Sequence, residues 1–343
     1  MPRSRTDRLL DLLARQAEEL ARFEREAAER TGEPYRIRMG EITREAVRRW
    51  VLIVGGLDLI PTPGQVVRLQ AMLVELVGRI ATVPIPDLGA VAREAVRIGL
   101  RHGMEQAGQG SGRSPLGPDE DLPDGLPDDL IERVNGVPDR IEAQIEVSRR
   151  LARGMPAEPT PADRDLILAT AGRVRSIVER ETAVLVTRGA SAGISTVAGQ
   201  AGLSTVWVPE RDACLACLAY AGRVSDGTGF PAGLTFAVPP RPIGWAVRRG
   251  RVPGPPLHPR CRCQLSVWSA DWHDRREIPL PDALAREARR SVVLGFALPS
   301  ESEPARRRAA DELLDAGTGL PRTVVERARR RVRARGRFTR PVP

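Results

Sequence analysis

Lysine is absent from the sequence, so all 53 basic residues are arginine. That excludes chemistry built on a lysine amine, such as a Schiff base or the phosphate-gripping lysine of a P-loop. Aromatic residues are scarce, at 3% against 41% hydrophobic overall, so a core must come from Leu, Val, Ile and Ala, a composition that favours helices. Histidine occurs only at His102, His258 and His273, which leaves few candidates for a general base. Long apolar runs are missing as well. The richest stretch, Trp50 to Ile60, contains Asp58 and two glycines and falls short of the roughly 20 residues a bilayer span needs. The N-terminus carries Arg3 and Arg5 among acidic residues rather than a basic cap before an apolar run. The expectation is a chain that stays in the cytoplasm where it is made, with no membrane partner.

The formal charge of +9 is unevenly placed. From Pro321 to Pro343, nine arginines face the single acid Glu326, and nine minus one gives a local balance of +8. Arginine at that density suits phosphate oxygens or an acidic protein surface, with binding that weakens steeply in salt. The bland alternative is the solvated end of a basic helix.

Periodicity predicts a fold that is α+β and mostly α. Thr6 and Asp7 can cap a long amphipathic helix carrying Leu9, Leu13, Leu20, Phe23 and Ala27 on one face. Further helical patterns run from about 41 to 54, 65 to 80 and 88 to 104, with Pro61, Pro63, Pro84 and Pro86 between them. Together they make a helical N-terminal region, 1–107. Residues 108–129 turn to Gly, Pro, Ser and Asp and read as a linker. A second helical region spans 130–203, with Leu166, Ile167, Val174, Ile177 and Val178 on helical spacing. The stretch 204–270 then changes character. Ser204 to Val208 and Gln264 to Trp268 are β-branched and aromatic and predict strands, with a Gly- and Pro-rich segment between them. Such a loop-rich piece buries too little to hold its shape without a staple. Helices return over 271–343, through Leu284, Ala288, Val292, Ala309 and Leu313, ahead of the basic tail.

The staple is suggested by the cysteines. All four fall in two close pairs, Cys214-x-x-Cys217 and Cys261-x-Cys263, with His258 three residues before the second. Thiolates and imidazole are the preferred ligands of structural zinc, which takes four tetrahedrally. Cys214, Cys217, Cys261 and Cys263 complete one such set; because Cys-x-Cys is tighter than usual spacing, His258 can replace a member. Disulfides and plain buried thiols are the competing readings. A thioredoxin-like role for Cys214-x-x-Cys217 lacks the βαβ context that chemistry needs.

One enzymatic motif stands out. Gly189-Ala-Ser-Ala-Gly193 matches Gly-x-Ser-x-Gly, the elbow that presents a serine nucleophile, here Ser191, between a strand and a helix. Val184 to Val186 could supply the strand, and Glu181 or Asp212 the acid. His102 sits on a helical pattern, His258 belongs with the cysteines and His273 lies in a charged loop, so no histidine is placed for a triad. A turn of small residues ending a helix is the reading preferred here, and Ser191 is kept only as a weak catalytic candidate.

The run from Val206 through Pro209, Asp212, Cys214 and Cys217, then Gly222, and later Pro255-Pro256-Leu-His258-Pro259-Arg-Cys261-Arg262-Cys263 resembles the Mu F-like family of phage head morphogenesis proteins. In that family a strand leads into an Asp-x-x-Cys-x-x-Cys turn, a glycine follows, and a Pro-Pro-x-His-Pro-x-Cys-Arg-Cys segment closes the domain. In this chain Asp212 stands two residues before Cys214. Arg180-Glu181-Thr182 also looks like the family, so the likeness covers roughly 163 to 268 and makes 130–203 the helical part of that domain. The stretch around Arg290-Ser-Val-Val-Leu and Gly319-Leu-Pro321 is similar to extensions in actinobacterial phage members. The resemblance implies a low-copy minor capsid protein at the portal vertex, inside the virion, in contact with portal and with capsid or scaffold proteins, and involved in assembly and in DNA packaging or ejection. Nonspecific DNA contact through the arginine tail fits that role. Relatives are sometimes labelled capsid maturation proteases, which makes a serine hydrolase the alternative.

Overall fold

The structure is a computed structural model that describes residues 4–111, 125–225, 227–234, 236, 251–259, 261–272, 278–298, 300–334 and 336–342. It is α+β and mostly helical, as expected. The helices are α1 (Arg5–Val54), α2 (Pro63–Gly78), α3 (Leu88–Ser111), α4 (Asp128–Asn135), α5 (Val137–Arg153), α6 (Pro161–Gln200), α7 (Leu215–Leu218), α8 (Leu280–Leu294), α9 (Glu303–Ala316) and α10 (Arg322–Arg333). The strands are β1 (Ser204–Val208), β2 (Phe230–Pro231), β3 (Arg251–Val252) and β4 (Gln264–Trp268). No described helix is long and apolar enough to cross a membrane.

The chain divides into two compact units that are interleaved along the sequence. One comprises Met1–Arg22, Arg93–Leu126 and Val186–Pro343; the other comprises Phe23–Ala92 and Pro127–Leu185. The segments 1–107 and 130–203 are therefore each shared between units. Of the expected linker 108–129, residues 112–124 lie outside the described residues, while 108–111 end α3 and 128–129 begin α4.

In the second unit, α1 corrects one expectation. The patterns ending at Ala27 and beginning near Glu41 belong to a single 50-residue helix that continues through Pro34. An internal proline removes one backbone donor and costs about 3 kcal/mol. Burial on both sides of it offsets this, because Ala27, Tyr35, Ile42, Ala46 and Trp50 are all fully enclosed. Thr31 helps by bonding the Ala27 carbonyl and the Thr182 hydroxyl on α6 at 2.9 Å. Helix α2 starts where its sequence dictates: Thr62 and Gln65 form a capping box, with Pro63 at the first helical position. Glu181, almost fully buried, is neutralised by Arg133 at 2.9 Å and Arg140 at 3.4 Å.

In the first unit, α6 overturns both readings of the Gly189 to Gly193 segment. It is neither an elbow after a strand nor a helix-ending turn, because Val184 to Gly193 lie well inside the helix. The small residues there let α3 approach. A Cβ on Gly99 would fall 2.1 Å from the Ala190 carbonyl oxygen, and one on Gly193 would fall 2.3 Å from that of Val96. Backbones this close admit only glycine, and helix-forming neighbours carry the helix across it.

β1 pairs antiparallel with β4, from Ser204 opposite Trp268 to Val208 opposite Gln264. Its other edge is held by Gly222 to Ser225, through Trp207 N to Arg223 O at 3.0 Å and Ser225 N to Thr205 O at 2.8 Å. β2 and β3 form a second short antiparallel pair.

Replacing Gly99 or Gly193 by alanine is expected to destabilise the protein by about 1–3 kcal/mol through overpacking. Gly199→Ala on the same helix, where a Cβ meets nothing within 4 Å, should leave stability unchanged or improve it. Denaturant midpoints measure both, and a Gly99→Ala midpoint equal to wild type would refute the close approach.

Candidate metal centre

The register of the ribbon builds the site. Because Val208 closes β1 opposite Gln264, which opens β4, the residues following one strand and preceding the other lie at the same end. The first run carries Cys214 and Cys217; the second carries His258, Cys261 and Cys263. Cys214 caps the single turn of α7, its sulfur accepting from Cys217 N at 3.5 Å, so both thiols face inward. Cys261 N donates to His258 O at 3.1 Å, a turn that folds the histidine back over the cysteines. Beneath the cluster, Trp207 packs on Tyr220, ring centroids 4.7 Å apart, and edge-on to Phe230 at 5.2 Å.

His258 Nε2 lies 3.1 Å from Cys214 Sγ and 3.3 Å from Cys217 Sγ, while Cys217 Sγ lies 3.6 Å from Cys261 Sγ. His258 Nδ1 is 2.8 Å from the Pro259 carbonyl, which can only accept; Nδ1 therefore carries the proton and Nε2 is the atom turned to sulfur. Two donor triads result, Cys214–Cys217–His258 and Cys217–Cys261–Cys263, each with its ligand atoms within 4.8 Å of one another. Cys217 belongs to both. The cysteines are free thiols, not disulfides. All five expected ligand residues are thus brought together, and the cluster can hold a metal ion.

The electrostatics suit that role. The Cys214 thiol is held down to about 4, chiefly by the hydrogen bond from Cys217 and further by that from His258. His258 is pushed up to about 9 by its bond to Cys214. Cys261 lies well below the usual thiol range because Cys217 and Cys263 donate to it. Cys217 is raised by its contact with Cys214 and by its other thiol neighbours. A metal ion binding here competes with protons and releases them.

A ring of polar contacts supports the ligand loops. Asp212 accepts from Arg262 at 2.6 Å, tying the Cys214 loop to the Cys261–Cys263 run. Glu301 accepts from Leu215 N at 3.3 Å, and buried Arg306 donates to Ala213 O at 3.1 Å. Arg262 was visible as a motif residue without a role, and Asp212, read as a candidate triad acid, is instead paired with it. Glu301 and Arg306, from beyond the module, gave no sequence signal: Arg306 is one of three consecutive arginines.

Among the described residues, Ser191 is not brought to a histidine. It is 1% exposed, and its Oγ donates to the Thr187 carbonyl one turn back at 2.9 Å. His102 is buried against Glu19 at 3.0 Å, and His273 lies outside the described residues.

No protein-family profile, curated protein or solved structure matches the chain. The geometry therefore stands by itself.

Titration with Co²⁺ is expected to give about one thiolate-bound ion per chain, seen by its sulfur-to-metal absorption. Cys217→Ser, which removes the thiol common to both triads, should abolish that absorption. A Cys217→Ser protein with the wild-type spectrum would overturn the assignment.

Proposed function

We propose that this chain is a phage minor capsid protein of the Mu F-like head morphogenesis type. In this reading it sits at the portal vertex inside the procapsid and virion, after assembly in the host cytoplasm. One observation carries the proposal: the two motif runs, more than thirty residues apart, serve a single module. Cys214, Cys217, His258, Cys261 and Cys263 form its cluster, Asp212 and Arg262 brace it at 2.6 Å, and Gly222, with a φ of 71°, makes the turn beside Pro281 that only glycine fits. These eight motif residues thus each have a folding task, as a structural module requires.

The metal in this proposal is zinc, acting as a structural staple. Zn–S bonds of about 2.3 Å place tetrahedral sulfurs roughly 3.8 Å apart, near the 3.6 Å between Cys217 and Cys261. Cys214, Cys217, His258 and Cys261 make the preferred set, because His258 touches both thiols of the first pair. Cys263, fully enclosed beside them, is the fifth donor.

The arginine tail supports nonspecific contact with packaged DNA. Arg322 is engaged by Glu326 at 2.8 Å, whereas Arg327, Arg329, Arg330 and Arg333 stand exposed on α10. Portal and capsid or scaffold proteins are the proposed protein partners. The alternative, a serine-type capsid maturation protease, would need Ser191 beside a base, and a hydroxyl committed to its own helix gives that reading no support.

Coexpression with the cognate portal and capsid proteins, followed by mass spectrometry of purified particles, tests the proposal. Retention at low copy without dependent cleavage of the major capsid protein is the expected result. Cleavage that requires this chain and disappears in Ser191→Ala would transfer it to the protease class. Elemental analysis of the purified chain should find about one zinc, lost in Cys261→Ser.

A further inference from the structure

Arg306 is 0% exposed, yet its guanidinium meets only neutral oxygens. It donates to Ala213 O at 3.1 Å, to Ser291 Oγ at 2.9 Å and, closely, to Phe296 O, while its Nε has no partner. Among the described residues no carboxylate stands within 4.0 Å of it. A buried cation without a counter-charge is strongly unfavourable, so something nearby must supply negative charge. The groups whose fields reach it are Glu301, Cys214 and Asp212. Asp212 is paired with Arg262, and Glu301 accepts from the Leu215 amide beside Cys214. The acceptors that Arg306 reaches hold the loop that carries Cys214.

The contacts also show where Arg306 acts. Ser291 Oγ accepts from Arg306 and donates closely to Arg211 O, so Arg306 and Ser291 grip the loop at Arg211 and Ala213, directly before Cys214. Glu301 takes the Leu215 N–H directly after it. Cys214 is therefore clamped on both sides by α8, α9 and the segment joining them, all of which lie outside the part of the chain that carries the cysteine motifs.

We propose that Arg306 is a positioning residue of the metal centre: with Ser291 it fixes the backbone that aims Cys214. The inference rests on the metal-site reading and goes beyond it, because it makes the C-terminal helices part of the site. Outer partners that orient ligands typically change metal affinity on the order of 10- to 100-fold when removed. Lysine cannot substitute fully, since a compact ammonium does not span three oxygens as the guanidinium fork does.

The test is Zn²⁺ affinity of the full chain by competition with a chromophoric chelator, together with the absorption of the Co²⁺ form. Arg306→Gln should bind Zn²⁺ on the order of 10- to 100-fold more weakly, with a less intense thiolate-to-cobalt band per bound ion. Arg306→Lys should fall between it and wild type, and Arg308→Gln, the loss of an exposed arginine two residues on, should match wild type. A purely packing role would lower stability while leaving the band of the folded protein unchanged. Should Arg306→Gln not fold, Ser291→Ala reports on the same grip and should weaken binding several-fold. Wild-type affinity and band in Arg306→Gln, or in Ser291→Ala where that variant stands in, would overturn the proposal and leave the metal reading intact. A wild-type chain that binds neither ion would overturn the metal reading itself and this inference with it.

Discussion

The pairing of β1 with β4 is the constraint on which the cysteine module depends. Five residues on each side form a short ribbon, and a two-stranded ribbon is marginal by itself in water. It holds because its side chains are enclosed on both faces: Val206, Trp207, Leu265 and Val267 are all at 0% exposure. Gln264 and the Val267 amide are further tied to α1 and α3 through Leu13 O at 2.9 Å and the Gln106 side chain at 3.0 Å. A slip of one residue would turn Trp207 to the opposite face and part the two cysteine runs. The cysteine–histidine cluster is thus a consequence of strand register before it is a matter of ligand spacing.

Around that ribbon the chain solves a recurring problem, the burial of charge, with arginine alone. Arg306 spans three oxygens from separate segments, and Arg307 beside it caps the carbonyls of Val332, Ala334 and Gly336 at the end of α10. Arg133 and Arg140 together neutralise Glu181 in the other unit. Arg306 and Arg307 each reach three oxygens with the planar guanidinium fork, a geometry that a compact ammonium does not match. Long arginine side chains do the joining that short loops and few aromatics leave undone.

The strands were legible because β-branched and aromatic residues gather at 204–208 and 264–268 with breakers between them, and the ligand cluster was legible because every cysteine lies in two short runs. The gap between the patterns ending at Ala27 and beginning near Glu41, and the Gly189 to Gly193 segment, misled for opposite reasons. Proline is a helix breaker by its own chemistry, yet enclosed residues on either side of Pro34 outweigh the lost bond. The small-residue segment matches a catalytic elbow letter for letter, yet its glycines answer to the backbone of α3, a partner some ninety residues away in sequence that no local pattern announces.

By itself the sequence determined the helical class, strands β1 and β4, the five clustered cysteine and histidine residues and the basic tail, because each follows from local periodicity, side-chain chemistry or count. The tertiary structure decided which donors share Cys217, that Ser191 is enclosed in α6 and bonded to its own helix, and that Arg306 from a distant helix holds the loop before Cys214. Those outcomes depend on which backbones meet and on the balance of buried charge. Neither is written in the order of residues along the chain; both arise only once separate segments are packed together.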